Sequence, residues 1–250
     1  MSKTLPQKYK EWSAHNNSQE WNDDIIKSFR AFVRKNLTSI NESIEEGSDK
    51  TLLDAILQVR FKTCDQKVDL MQSMIKEGAQ LDKAAIVSYL RGMKDEPIDC
   101  VLKIINVLIQ NGADTNAKDR IFRRTALDEA ISLHKYEVAK HLIDNGADVR
   151  GLLKEACYSG SIDTVKLLLE KGADANDHNG YPMLSYALTS EKDKEAKVRA
   201  ILPYTNLQNL KRVHKQTKGL FKEVVNKNPI VLRLIEERMF FIISISLLLL

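Results

Sequence analysis

The chain has 250 residues, 38 of them Lys or Arg and 34 Asp or Glu, and a formal net charge of +4. Its ten Gly and five Pro are about half the share found in average proteins, which excludes collagen-like, Pro-rich and flexible-linker chains. A hydrophobic content of 43% also argues against one long disordered tract. Few helix breakers, together with abundant Leu, Ile, Ala, Lys and Glu, favour a mostly helical protein.

The first predicted helix follows a polar segment, residues 1–17, that we expect to be flexible and that lacks the apolar run of a secretory signal. Trp21 and Phe29 fall on one apolar stripe of this helix, and Ser18 is a suitable N-cap. Residues 18–46 are therefore predicted to form a helical cap over the repeats that follow. The alternative is a separate binding helix.

A Gly-Ala pair recurs along the middle of the chain, beginning at Gly78, Gly112, Gly146 and Gly172. Each pair follows an apolar run with helical spacing, so we expect a helix to end at each Gly, which adopts the left-handed C-cap conformation without steric cost. The spacings of 34, 34 and 26 residues indicate an internal repeat of one helical unit.

A second motif precedes these pairs. Residues 125–130 read Thr-Ala-Leu-Asp-Glu-Ala, close to the T-P-L-H-x-A start of an ankyrin repeat, and residues 165–176 are similar to the second helix of that family. The chain resembles an ankyrin-repeat protein over residues 47–205, most strongly over 104–188. The resemblance implies an all-α solenoid of about five helix-turn-helix units, with helical caps and one or two short β-hairpin fingers.

Full-length fingers are expected only at residues 115–124 and 175–182, because the 26-residue spacing leaves little room for another. In the first finger an apolar pair lies inside an Arg cluster, which suits the anchoring of an acidic partner. The alternative is that Phe122 folds back on the first helix while the arginines only solubilise the loop. The residues predicted to bind a partner are Lys118, Arg120, Ile121, Phe122, Arg123, Arg124, Tyr136, Tyr158, His178, Asn179 and Tyr181.

Residues 206–238 carry eight Lys and Arg against three Glu and are predicted to form a basic helical cap, interrupted at Pro229. No aromatic interleaving or recognised reader motif accompanies this charge, so no nucleic acid is expected as a partner.

The last segment, residues 239–250, is apolar apart from Ser244 and Ser246. A helix of this length rises about 18 Å, too little for a hydrocarbon core about 30 Å thick. Three interpretations stay open: packing on the last repeat, which we expect, shallow contact with a membrane, or part of a longer span.

No motif for catalysis or for binding a cofactor is present, such as a phosphate-binding Gly loop, a nucleophile elbow or H-E-x-x-H, so we expect no enzyme activity and no cofactor. The five histidines are scattered, and no Cys-x-x-Cys occurs, so no metal site is expected. Cys64, Cys100 and Cys157 are expected to be buried thiols in a reducing compartment.

The sequence therefore predicts a monomeric, non-catalytic module in the cytoplasm that binds another protein through its finger tips and concave face, as the family resemblance implies. Irregular repeats such as these also suit an effector that an intracellular bacterium delivers into the host cytosol. The alternative function is a membrane-associated adaptor, held by the apolar residues 239–250 and the basic residues 206–238.

Overall fold

The computed structural model describes residues 3–16, 20–45, 50–92, 96–158, 160–176, 182–190, 192–217 and 229–248. The chain divides into two compact units, Met1–Glu129 and Ala130–Leu250. The described part is mostly helical, with fourteen α-helices, which confirms the predicted all-α fold class.

The helices are α1 (Leu5–His15), α2 (Asp23–Lys35), α3 (Leu52–Leu57), α4 (Cys64–Lys76), α5 (Ala85–Gly92), α6 (Ile98–Gln110), α7 (Ala126–Ser132), α8 (Tyr136–Asp144), α9 (Leu153–Tyr158), α10 (Ile162–Glu170), α11 (Met183–Thr189), α12 (Lys194–Ile201), α13 (Leu207–Thr217) and α14 (Pro229–Leu248). Short 3-10 helices span Leu37–Ser39 and Leu202–Tyr204. The two described strands are β1 (Glu20–Trp21) and β2 (Arg60–Phe61), which pair in parallel.

Helices stack in pairs inside each unit. In the first unit α3 packs on α4 and α5, and α6 packs on α4 and α5. In the second unit α9 and α11 stack side by side, as do α10 and α12, while α9 packs on α10 and α11 on α12. Each pair therefore buries its apolar face against its neighbours, as expected of a repeat protein.

Glycine ends the second helix of a pair where the sequence predicts it. Gly112 and Gly146 have φ values of +96° and +86°, a left-handed conformation that a residue without a side chain adopts easily. The following alanine then donates its N–H back into the helix, at 3.0 Å from Ala113 to the Leu108 carbonyl and from Ala147 to the Leu142 carbonyl. These bonds satisfy carbonyls that the helix end would otherwise leave unpaired.

The N-terminal segment that was expected to be flexible forms α1, and that expectation is wrong for the residues it contains. The Trp12 ring lies 4.9 Å from the Phe29 ring and 5.4 Å from the Trp21 ring, and its indole N–H donates to Ser28 Oγ at 3.0 Å. Trp21 and Phe29 are both buried. Aromatic packing of this kind orders a helix whose own sequence is polar.

The second helix begins later than predicted. Ser18 lies outside the described residues, and α2 starts after Asn22, whose side chain accepts the N–H of Ile25 at 3.0 Å. Trp21 belongs to β1 rather than to the helix, because it pairs with Phe61 of the neighbouring strand. A helical stripe read from sequence cannot reveal a pairing with residues 40 positions away.

The cysteine prediction is wrong for one pair. Cys64 and Cys100 form a disulfide between the first turns of α4 and α6, with their Cα atoms 5.5 Å apart, whereas Cys157 is a free, buried thiol. The stacking of α4 on α6 brings together two cysteines that 36 residues separate.

The expected packing of the apolar tail is wrong for Phe240, Phe241 and Ile243, whereas Met239 and Ile242 are half-buried. In α14, Val231 and Ile235 are buried and the helix packs on α12 and α13, but Phe240 and Phe241 are 74% and 54% exposed. Among the described residues, no helix combines the length and the apolar character needed to cross a membrane.

Candidate protein-binding site

The first finger, residues 115–124, is called the finger loop here, and the structure describes all of it. It is built of turns rather than the predicted β-hairpin, and one buried carboxylate organises it. Asp119 accepts the backbone N–H groups of Ile121 at 3.1 Å, Phe122 at 2.9 Å and Arg124 at 2.8 Å. Its own N–H donates to the Arg124 carbonyl at 2.9 Å, so the loop closes around this side chain.

Arg91 of α5 contacts two residues of the finger loop, Asp119 and Phe122. Its guanidinium donates to Asp119 and to Glu129, at 3.2 Å in each case, and its central carbon lies 4.8 Å from the centre of the Phe122 ring. Burial alone would raise the pKa of Asp119, but the Phe122 N–H and the Arg91 guanidinium hold that pKa well below its ordinary value. Asp119 is therefore ionised at neutral pH, and its charge strengthens the hydrogen bonds that close the finger loop.

The tip of the finger loop faces solvent. Ile121 is 79% exposed and Phe122 is 63% exposed, so Phe122 is not buried against the first helix. Arg123 is exposed and has a left-handed φ of +56°, which is unusual for a residue with a side chain. An exposed aromatic ring on a fixed backbone is the arrangement that interface hot spots use.

The other basic residues of the loop differ in how firmly they are held. Arg120 lies 3.7 Å from Asp82, and Arg124 donates to the Asp128 carbonyl at 2.9 Å. Lys118 is exposed. Four basic residues therefore flank the apolar tip in sequence, and two of them lie near carboxylates, Arg120 near Asp82 and Arg124 at 3.8 Å from Glu129.

The second unit holds the remaining described candidates. Tyr158 is 62% exposed at the end of α9, and Tyr136 is half-buried at the start of α8. His178, Asn179 and Tyr181 lie outside the described residues.

Tyr158 lines a cavity of about 550 Å³, called the turn cavity here, at the turns that join the helices of successive pairs. Its lining residues are His134, Tyr158, Gly160, Ser161, Ser190, Lys192, Asp193 and Lys197.

Of the residues that line this cavity, the sequence predicted only Tyr158 as a binding residue and missed the buried Lys197. Lys197 is only 1% exposed, and its ammonium donates to Ser190 Oγ at 2.7 Å and to the Cys157 carbonyl at 3.2 Å. Burial lowers the pKa of Lys197, although the negative charge of Asp193 counteracts part of that effect.

The signal that could have revealed Lys197 lies in its position within the helix. It is the fourth residue of α12, and the fourth residues of α6, α8 and α10 are Val101, Ala139 and Val165. All three are apolar and buried. A lysine at this position therefore departs from the apolar pattern of α6, α8 and α10.

A second buried lysine lies in the first unit. Lys67, the fourth residue of α4, is 1% exposed, and its ammonium lies 2.8 Å from the Glu96 carboxylate. The Tyr89 hydroxyl donates to the other oxygen of Glu96 at 2.6 Å, and the Lys67 ammonium lies 5.1 Å from the centre of the Tyr89 ring. Lys67 is thus a paired charge inside the stack.

No set of three or more His, Cys, Asp or Glu side chains in the described part of the chain is arranged to hold a metal ion. The free thiol of Cys157 is no nucleophile at neutral pH, because burial raises its pKa to about 12.

Comparison with known proteins places this arrangement in context. The family model described as ankyrin repeat matches residues 152–180. Alpha-latrocrustotoxin-Lt1a of Latrodectus tredecimguttatus is 28% identical over 143 residues, which cover 53% of this chain and 10% of that protein. A putative ankyrin repeat protein of Rickettsia felis is 30% identical over 119 residues, which cover 41% of this chain and 53% of that protein.

A putative ankyrin repeat protein of Acanthamoeba polyphaga mimivirus is 29% identical over 73 residues, which cover 28% of this chain and 16% of that protein. The chain thus spans about a tenth of the length of the spider toxin and about half of the length of the Rickettsia protein.

Proposed function

Because the chain is an ankyrin-repeat protein, we propose that it is a non-catalytic module that binds another protein through the finger loop. Ankyrin repeats generally mediate interactions between proteins, and the family is typically non-catalytic. The observation that supports this site is the exposed pair Ile121 and Phe122, held above Arg91 by the hydrogen bonds of Asp119.

The chemistry of the loop defines the partner that suits it. Lys118, Arg120, Arg123 and Arg124 flank the apolar tip in sequence, while the carboxylate of Asp119 is buried and already paired. A partner with an apolar pocket for the Phe122 ring and acidic residues around that pocket complements this surface. Tyr136 and Tyr158 are proposed as further contacts on the second unit.

Photo-crosslinking tests this proposal on the full chain. A photoreactive residue replaces Ile121, the protein is irradiated in an extract of its native cell, and the captured protein is identified and purified. Its affinity is then measured for the wild type and for the double variant Phe122→Ala/Arg123→Ala. Hot-spot truncation costs at least about 2 kcal/mol, so we expect an affinity loss of roughly 30-fold or more.

The matched control removes an exposed aromatic ring and an exposed Arg elsewhere, in Tyr204→Ala/Arg212→Ala. The control is expected to keep wild-type affinity. Both variants are expected to change the free energy of unfolding by less than about 1 kcal/mol, since these residues are exposed. Unchanged affinity of Phe122→Ala/Arg123→Ala, or an equal loss in the control, would move the binding site away from the finger loop.

A second candidate function is adhesion to an anionic membrane surface, and the exposed apolar residues of α14 favour it. Phe240, Phe241 and Ile243 are 74%, 54% and 37% exposed, and Arg238 lies just before them with its guanidinium 5.5 Å from the Phe241 ring centre. Apolar side chains beside basic residues suit shallow insertion among acidic headgroups.

Flotation with vesicles containing phosphatidylserine tests this candidate. The full chain is expected to float, whereas Phe240→Ser/Phe241→Ser and a chain that ends at Arg238 are expected to stay in the soluble fraction. The variant Ile98→Ser, which changes an exposed apolar residue of α6, serves as the control and is expected to float. If the full chain does not float, this second function is excluded.

A further inference from the structure

We propose that the turn cavity binds one small anionic group, a carboxylate or a phosphate, next to Lys197. The proposal goes beyond the protein-binding function of the finger loop, because every residue that carries it belongs to the second unit.

The ammonium of Lys197 has no charged group as a hydrogen-bond partner among the described residues. Its ammonium has three N–H donors, and its described partners are the Ser190 hydroxyl at 2.7 Å and the Cys157 carbonyl at 3.2 Å. Ser190 Oγ in turn donates to the Lys192 carbonyl at 2.8 Å. These partners accept hydrogen bonds but carry no charge, so they leave the ammonium without a contacting carboxylate among the described residues.

Lys67 and Lys197 differ in how their charge is matched. Both residues are 1% exposed, but the Glu96 carboxylate lies 2.8 Å from the Lys67 ammonium and neutralises it. A buried charge without such a partner is unfavourable, so an added anion would be stabilised next to Lys197.

Two other charged residues, Lys192 and Asp193, line the cavity with Lys197. Lys192 adds a second positive charge to the cavity. Asp193 is exposed, and its negative charge offsets part of the positive charge at Lys197. The neighbouring thiol of Cys157 is neutral at pH 7, because burial raises its pKa to about 12, and it supplies no counter-charge. The ring of His134 also lines the cavity.

The turn cavity is large enough to hold a small anion. A volume of about 550 Å³ accommodates one carboxylate or phosphate with several water molecules. Ser161 shares this wall, and its hydroxyl oxygen accepts the Thr164 N–H at 3.2 Å as the N-cap of α10. The exposed Tyr158 ring borders the opening and can contact the carbon chain that carries the anionic group.

Titration of the wild-type full chain with sodium acetate, sodium phosphate and neutral acetamide, at constant ionic strength, tests the site by NMR. We expect saturable shifts of the backbone amide signals of Gly160, Ser161 and Ser190 with at least one of the two anions and none with acetamide. Saturation with acetate alone identifies a carboxylate site, and saturation with phosphate alone identifies a phosphate site. Equal shifts with acetamide, or no saturable shift with either anion, would overturn the proposal.

Two variants assign the effect to Lys197. Lys197→Met is expected to lower the affinity for the anion by about tenfold or more, since a hydrogen bond to a charged group is lost. Lys194→Met removes the same charge from the same helix without altering the cavity lining and is expected to bind like the wild type. Equal affinity of Lys197→Met and the wild type would overturn the proposal. The wild-type titration decides the question even if Lys197→Met does not fold.

Discussion

Lys67 in the first unit and Lys197 in the second are the same residue type at the fourth position of a repeat's second helix, and each is 1% exposed. Burial lowers the pKa of both. They differ in what surrounds the ammonium, since Lys67 contacts the Glu96 carboxylate, whereas Lys197 contacts a hydroxyl and a carbonyl.

This difference separates two uses of a buried charge. A lysine whose charge is matched within the stack is part of the packing, and removal of either partner leaves the other unpaired. A lysine that is solvated only by neutral groups contributes less to stability, because replacing it with an apolar side chain also removes the unfavourable burial of its charge. Such a lysine is available to an external anion.

The largest expected effect tests that distinction directly. Lys67→Met leaves Glu96 buried without its cation and is expected to lower the free energy of unfolding by about 3–5 kcal/mol. Lys197→Met is expected to change it by less than about 1 kcal/mol, because the lost hydrogen bonds and the removed charge offset each other. Urea unfolding of both variants at pH 7 measures this difference, and an equal loss in the two would remove the distinction.

The surroundings of Lys67 include the disulfide, since Cys64, Lys67, Glu96 and Cys100 line one small cavity of about 190 Å³. Cys64→Ser/Cys100→Ser is expected to lower the free energy of unfolding by about 2–4 kcal/mol, because the 36-residue loop is no longer closed in the unfolded chain. It is also expected to shift the NMR signals of Lys67 and to leave those of Lys197 unchanged.

Alkylation of free thiols in protein taken from its native cell shows whether this bond forms there. We expect only Cys157 to be labelled after denaturation. Labelling of all three cysteines would contradict the disulfide and would fit the reducing compartment that the sequence indicated.

Asp119 is a third buried charge, and like Lys67 it is matched, here by Arg91 and by backbone N–H groups. Asp119→Asn is expected to lower the free energy of unfolding by about 2 kcal/mol. Because the folded pKa lies below the unfolded one, the contribution of this charge is complete above about pH 4 and is lost as the pH falls further. The difference between the wild type and the variant should therefore be constant from pH 5 to pH 7 and should shrink below pH 4, which acid-unfolding curves can measure.

The smallest expected effect concerns the backbone of the finger loop. Arg123 has a φ of +56°, a conformation that Gly adopts without steric cost. Arg123→Gly is expected to raise the free energy of unfolding by about 0.5–1 kcal/mol, because Gly adopts this conformation without strain. It is also expected to lower the affinity of the finger loop for its partner, because a basic side chain is lost. Thermal unfolding checks the first effect, and a lower stability in this variant would show that the arginine side chain stabilises the loop.

Features that depend on local sequence could be predicted, and features that depend on stacking could not. The helix ends at Gly112 and Gly146 follow from one residue type, and the exposed tip at Ile121 and Phe122 follows from a short turn between helices. Arg91 could not be assigned to the finger loop from sequence, because it precedes that loop by some 30 residues.

The same limit explains the missed pairing of Cys64 with Cys100 and the missed turn cavity at Lys197. Both arise where successive helix pairs contact each other, and a single sequence does not specify which side chains meet there. The apolar pattern of the second helices did carry one signal, since a lysine at a buried position indicates that something must stabilise its charge.

The most direct test of the difference between the two lysines is an NMR measurement of both pKa values in one sample, through the ε-carbon signals of ¹³C-labelled lysine, with and without the anion that saturates the turn cavity. An anion near an ammonium favours its charged form, so we predict that the pKa of Lys197 rises when the anion binds, while that of Lys67, already paired with Glu96, stays the same. An unchanged pKa of Lys197, or an equal rise in both, would contradict the distinction between a matched and an unmatched buried charge.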